Sequence, residues 1–170
     1  PIVALDTRAV HHFEALARFG GAGPAALIGM AEQLGLIEAL DLAVAEKTLS
    51  KMRQPGAGLL KVAINVSGAS LTDDGYVDAL LRMTASATEL RRRLIVEVTE
   101  TAALSDIEAA DRRLTALRGA GIKVCIDDFG AGSAGFDYLR RLSVDTVKID
   151  GALVTGVDKD ARGRAVIRTL

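Results

Sequence analysis

Apolar positions recur along this chain with two periods, and the switch between them outlines its elements. Ile2 to Leu5 and Val10 to Phe19 read as strands with Asp6-Thr7-Arg8 as the turn between them, which makes the first strand antiparallel. From Pro24 to Met52 the period becomes helical. Leu27, Ile28, Ala31 and Leu34, then Leu40, Ala43, Val44 and Leu49, recur at three and four, and Gly35 divides the run into two helices. Gln54 to Gly58 is a loop. Three strand–helix repeats follow: Leu59 to Val66 with a helix near Gly75 to Thr84, Leu94 to Thr99 with Asp106 to Arg118, and Lys123 to Phe129 with Phe136 to Leu142. Ser105-Asp106 supplies an N-cap, and Gly119 with Gly121 closes the helix. The last strand is Thr146 to Ile149, and Gly163 to Leu170 begins another helix.

Where strand alternates with helix, the strands run parallel and their C-terminal ends converge on one face. The predicted class is therefore α/β, a TIM-like (β/α) barrel with an antiparallel first strand. A closed eight-stranded barrel takes about 250 residues, whereas this chain has 170 and shows six strands. The expectation is one domain over residues 1–170 in which the barrel is incomplete, the last two or three strands being absent.

Composition narrows the picture. Hydrophobic residues make up 49% of the chain with four Phe, two Tyr and no Trp, so the interior is aliphatic. Lys and Arg total 21 against 22 Asp and Glu, so no global field draws the protein to a nucleic-acid polymer or an anionic membrane. The longest stretch without charge, Phe19 to Ala31, is 13 residues and is broken by Gly20, Gly21, Gly23 and Pro24, too short to span a bilayer. Cys125 is the single cysteine and lies within an apolar run, which fits core packing in a reducing cytoplasm. The start Pro1-Ile2-Val3, without Met or an apolar leader, reads as an excised domain.

Five apolar runs each deliver a polar residue near their end: Glu14, Asn65, Glu97, the pair Asp127-Asp128, and Lys148 with Asp150. Glu14, Leu16 and Arg18 alternate and share a face, as do Lys148 and Asp150, and Glu97 shares its face with Thr99. At strand ends such groups sit in a solvated mouth and can bind a cation. Three carboxylates and an amide are hard oxygen ligands that favour Mg²⁺ or Mn²⁺ over Zn²⁺. His11 and His12 have no partner at zinc spacing and read as structural or surface residues. Asp127-Asp128-Phe129-Gly130 contains the kinase tripeptide, but there is no Gly-rich loop after the first strand and no His-Arg-Asp element. A Schiff-base role for Lys148 is opposed by nearby Asp150, whose carboxylate would keep the amine protonated. Arg91-Arg92-Arg93 and Arg140-Arg141 read as solvated charge.

Phe13-Glu14-Ala15-Leu16-Ala17-Arg18-Phe19 resembles the signature of the EAL-domain family of cyclic-di-GMP phosphodiesterases. The resemblance continues in order through Ala31-Glu32-Gln33-Leu34-Gly35-Leu36-Ile37, Ile64-Asn65-Val66-Ser67, Glu97-Val98-Thr99-Glu100, Asp127 to Gly132, and Tyr138 to Asp150. It implies a barrel whose mouth binds cyclic di-GMP and hydrolyses one phosphodiester to linear pGpG with one or two Mg²⁺ or Mn²⁺ ions. Carried over by position, Glu14, Asn65, Glu97 and Asp127 are metal ligands, and Asp128 places a second metal or its water. Lys148 orients or helps ionise the attacking water, Asp150 positions Lys148, and Leu16 and Arg18 hold substrate. Glu100 secures the loop that begins at Asp128.

The match departs from the family at Ser133-Ala134-Gly135-Phe136, where active relatives commonly carry a Ser-Ser pair, and this bears on loop ordering and dimer-linked control. The family's general-base glutamate and a later substrate-contacting Gln are not in this sequence, so the chain reads as the N-terminal two-thirds of the domain, weakly active or inactive alone. The partners implied are cyclic di-GMP, a second copy in a homodimer, and sensory or signalling domains in the parent protein. Two alternatives stand beside the enzyme: a cyclic-di-GMP receptor without turnover, and an interaction fragment driven by open sheet edges.

Overall fold

Six short runs rich in Val, Ile and Leu form strands that hydrogen-bond in sequence order. The computed structural model describes residues 1–20, 23–99, 106–130, 139–160, 164, 165 and 167, with the Asp74 side chain excepted. The strands are β1 (Ile2–Val3), β2 (Val10–Ala15), β3 (Val62–Val66), β4 (Leu94–Thr99), β5 (Lys123–Phe129) and β6 (Thr146–Ile149), in the order β1-β2-β3-β4-β5-β6. The pair β1 and β2 is antiparallel and every later pair is parallel. This is the sheet of an incomplete (β/α) barrel, as the alternation predicts.

The helices whose bounds lie within the described residues are α1 (Pro24–Gln33), α2 (Ile37–Met52), α3 (Gly68–Thr72), α4 (Asp74–Met83), α5 (Thr88–Arg91), α6 (Ile107–Gly119) and α7 (Gly151–Val154). Gly35 adopts φ +66 between α1 and α2, a left-handed conformation that ends the first helix where the sequence suggested a break. Ser67, Asp73 and Asp106 each cap a helix with a side-chain oxygen that accepts a backbone N–H.

Pleat alternation divides the sheet into two chemistries. Ile64, Val66, Leu94, Val96, Val98, Val124 and Ile126 face α2, α4 and α6 and form one core with Leu49, Tyr76, Leu80 and Leu114. The opposite, inner face carries Ala63, Ile95 and Cys125 as a small buried layer. On the same face Asn65, Glu97 and Asp127 stand two residues beyond Ala63, Ile95 and Cys125, Glu14 is in register with Ala63, and Lys148 comes from β6. Burial pushes the Cys125 thiol up to about 12, aided by the Glu97 charge, so it is an inert core group.

Three strand boundaries differ from the sequence reading, the first being that of β1, which ends at Val3 rather than Leu5. The second strand ends at Ala15 rather than Phe19, because its pairing to β3 spans only Phe13, Glu14 and Ala15. The third begins at Val62 rather than Leu59, whose side chain is exposed and has no sheet face to bury it. Helices α3 and α5, of five and four residues, are too short to show a period, and the sequence reading lacks them. Ser105, Glu100, the loop from Gly132 to Phe136, most of the helix expected over 163–170 and the start of that over 136–142 lie outside the described residues.

Candidate functional site

Adjacent parallel strands bring the acids to one place. Asn65 on β3 is in register with Glu97 on β4, and Thr99 on β4 with Asp127 on β5. Carboxylate oxygens of Glu14, Glu97 and Asp127 all lie within 4.8 Å of one another. At that separation each pair repels by about 3–4 kcal/mol at an effective dielectric near 20, so the cluster requires a counter-charge.

Lys148 on β6 supplies it. Its Nζ donates to Asp127 Oδ2 at 2.7 Å and Glu97 Oε2 at 3.0 Å, and lies 3.9 Å from Glu14 Oε2. Burial alone would lower the lysine pKa, but the hydrogen bonds to Asp127 and Glu97 outweigh it and hold the ammonium above its ordinary range. Glu97 is 1% exposed. Desolvation raises its pKa against the opposing pull of Lys148, and the charges of Asp127 and Glu14 push the same way as burial.

Asn65 Nδ2 donates to Glu14 Oε1 at 2.7 Å, so its amide oxygen is not used in that bond. Asp127 and Asp128 separate at a register irregularity between Ile126 and Phe129, where Asp128 takes φ +53. The irregularity keeps Asp127 inward and leaves Asp128 exposed at the rim. Burial raises the Asp128 pKa, and the neighbouring Asp127 and Asp150 charges add to it. Two residues on, Gly130 has φ +96, and a side chain there would collide with Leu153 of α7, so only glycine fits.

The remaining sequence-predicted residues divide. Leu16 and Arg18 follow β2 instead of continuing it, and both line a cavity of about 310 Å³ that also reaches Asn65, α1 and α2. Strand alternation thus does not set their orientation; the exit of the chain after Ala15 does. Asp150 caps α7 by accepting the Ala152 N–H at 2.8 Å, while the described partners of Lys148 are Glu97, Asp127 and Glu14. Glu100 lies outside the described residues.

Two residues join the site that the sequence reading did not place there. Asp41 on α2 lines the cavity and accepts the Ser67 N–H at 2.9 Å and the Ser70 hydroxyl at 2.8 Å, fixing the turn that follows Asn65. Its pKa is raised by burial, with the Ser67 and Ser70 bonds opposing. His12 sits on the inner face of β2 beside Glu97. An aspartate in mid-helix and a lone histidine on a strand carry no sequence mark of either contact.

The donor set fits a divalent cation. Three carboxylates and one ammonium leave a formal charge of −2, and the ligands are hard oxygens. The family model described as EAL domain matches residues 1–170. The chain belongs to the EAL domain family. It is 33% identical over 178 residues to cyclic di-GMP phosphodiesterase NbdA of Pseudomonas aeruginosa, an alignment covering 100% of this chain and 23% of that relative. The chain therefore spans under a quarter of that relative's length. Among solved structures, the EAL sheet described above superposes on the PaMucR phosphodiesterase in complex with c-di-GMP with a TM-score of 0.81, at 30% identity, covering 93% of this chain and 70% of that one. A calcium/cy-diGMP complex of Klebsiella pneumoniae BlrP1 aligns with a TM-score of 0.81 at 29% identity, covering 95% of this chain and 41% of that one. Among the described residues, no helix is long and apolar enough to cross a membrane.

Proposed function

We propose that this EAL domain serves metal-dependent hydrolysis of cyclic di-GMP to linear pGpG. The observation that carries the reading is the cluster of Glu14, Glu97 and Asp127 at the C-terminal ends of parallel strands, closed by Lys148 and adjoining the cavity at Leu16 and Arg18. In this reading Glu14, Asn65, Glu97 and Asp127 hold Mg²⁺ or Mn²⁺, with Asp128 at the rim serving a second ion or its water. A divalent ion in such a set polarises a phosphoryl oxygen and makes a nucleophile of water at neutral pH. Arg18 supplies charge-assisted hydrogen bonds to a substrate phosphate at the cavity wall. The Lys148 ammonium, freed from part of its carboxylate contacts, orients the attacking water and stabilises the negative charge that develops on the phosphoryl group. Asp150 positions Lys148 through the β6–α7 turn, where it accepts the Ala152 N–H. No covalent enzyme intermediate is required.

Calorimetric titration of cyclic di-GMP into the chain with Ca²⁺ or Mg²⁺, alongside Glu14→Ala and chromatography of the products, tests this reading. Saturable, metal-dependent binding that Glu14→Ala abolishes is the expected result, with little or no pGpG from these 170 residues under Mg²⁺. Binding without pGpG in a complete domain makes it a receptor, and no binding at all overturns the assignment of the mouth.

A further inference from the structure

Below the carboxylates, on the side away from the mouth, lie two histidines that the proposed chemistry leaves unused. Alternation along β2 puts His12 on the inner face one step beneath Glu14, where it is 8% exposed. Its Nε2 faces Glu97 Oε1 at 3.7 Å. Neither atom has a hydrogen-bond partner among the described residues, although both are buried. The other Glu97 oxygen is already taken by Lys148.

The far side of the ring settles which nitrogen carries the proton. His12 Nδ1 lies 2.8 Å from His11 Nδ1, with the two rings edge to face. A contact that short between two nitrogens holds one proton, so one ring donates and the other accepts. A neutral imidazole carries a single N–H, on Nδ1 or on Nε2. With that N–H on Nδ1, the bare Nε2 would face a carboxylate oxygen in a buried pocket, leaving two acceptors unpaired at about 1–3 kcal/mol each. With Nδ1 accepting from His11, the proton sits on Nε2 and points at Glu97.

We infer that His12 is a positioning residue for Glu97: held by His11 as the Nε2–H tautomer, it donates to Glu97 Oε1 and thereby presents Oε2 to the mouth. The gap of 3.7 Å is about 0.8 Å beyond an ordinary N–H···O bond, a distance that rotation of the carboxylate closes. The arrangement is the familiar outer-shell support of a metal ligand with the partners exchanged, the imidazole supporting and the carboxylate ligating. Its consequence for metal affinity rests on the proposed role of Glu97; the tautomer does not.

Two measurements on the 170-residue chain separate these parts. Long-range ¹H–¹⁵N NMR of the metal-free protein at neutral pH is expected to show His12 with a protonated Nε2 and a bare Nδ1, and the opposite tautomer or an imidazolium overturns the inference. Mn²⁺ titration followed by EPR is expected to show His12→Leu weakening binding roughly 10- to 100-fold, while His12→Gln, which keeps an N–H donor near the Nε2 position, stays within about 3-fold. That rescue distinguishes positioning from simple loss of packing, which both variants would share. Equal affinity for wild type, His12→Leu and His12→Gln overturns the positioning role. A wild-type chain that binds no Mn²⁺ overturns the metal reading instead. The Glu97 Cδ resonance then decides: displacement in His12→Leu but not in His12→Gln sustains the inference, and displacement in neither sinks it.

Discussion

With its Nζ against Asp127 and Glu97, Lys148 is the counter-ion of the acidic cluster. Removing its charge leaves three carboxylates facing one another, one of them fully buried. Breaking a buried pair costs about 3–5 kcal/mol. Because Lys148 is 24% exposed, solvent relieves part of that, and Lys148→Met is expected to lose about 2 kcal/mol at pH 7. By the usual scaling this is roughly a 4–8 °C drop in Tm for a chain of this size. The sign follows from linkage: the lysine pKa is raised on folding, so its contribution is fully present at pH 7, below the ordinary 10.5, and is lost only as pH rises through the folded value. Calorimetry with and without Mg²⁺ checks the assignment, since a divalent ion should restore more stability to the variant than it adds to wild type. Equal Mg²⁺ gains in both proteins would show that Lys148 and the ion do not share the cluster.

At the level of elements, one aspartate ties three of them together. Asp145, just before β6, accepts the Val124 N–H at 3.0 Å, Lys123 Nζ at 2.8 Å and Arg118 Nε at 3.2 Å, joining β5, the end of α6 and the start of β6. The two ion pairs are exposed on the cationic side and contribute little, so the charged bond to the Val124 amide dominates, and Asp145→Ala is expected to cost about 1–2 kcal/mol. Burial would raise the Asp145 pKa, but the bonds from Lys123, Val124 and Arg118 reverse that and lower it. The contribution is therefore present above the ordinary value of 3.8 and disappears as pH falls through the folded one. Urea midpoints should separate wild type from Asp145→Ala at pH 7 and converge in strong acid; a constant difference at both would assign the loss to packing. Elements of this kind were partly legible in the sequence. β4, β5 and β6 fall where the apolar runs put them, because their apolar residues are buried or half-buried in the sheet. The ends of β2 and β3 do not, since Leu16 and Leu59 are apolar yet exposed, and composition alone cannot tell an apolar strand residue from one that lines a cavity or meets solvent. The acids of the site were legible for the same reason as the strands, each standing at the end of an apolar run. Asp41 and His12 were not, because their partners Ser67, Ser70 and Glu97 come from other elements and only the assembled sheet brings them close.

On the scale of the whole molecule, the site exists only when the sheet does. The residues proposed to hold the ion run from position 14 to position 127 and come from four strands, with an ammonium from a fifth. The unfolded chain offers no such set, so a cation that binds the mouth binds the native state alone and stabilises it by mass action. At 100 times the dissociation constant that linkage amounts to about 2.7 kcal/mol, or roughly 5–10 °C in Tm for a chain of this length. Calorimetric scans over a Mg²⁺ or Ca²⁺ series against EDTA should therefore show a saturable rise in Tm. Glu14→Gln, which removes one carboxylate while keeping the side-chain volume, should flatten the rise. A Tm that ignores millimolar metal would mean that the Lys148 ammonium satisfies the carboxylates so well that no ion displaces it, and the cluster would then be a buried ion-pair network. The net charge argues for the first outcome. One ammonium leaves two of the three negative charges uncompensated, and only a group of charge +2 closes that difference without further proton uptake.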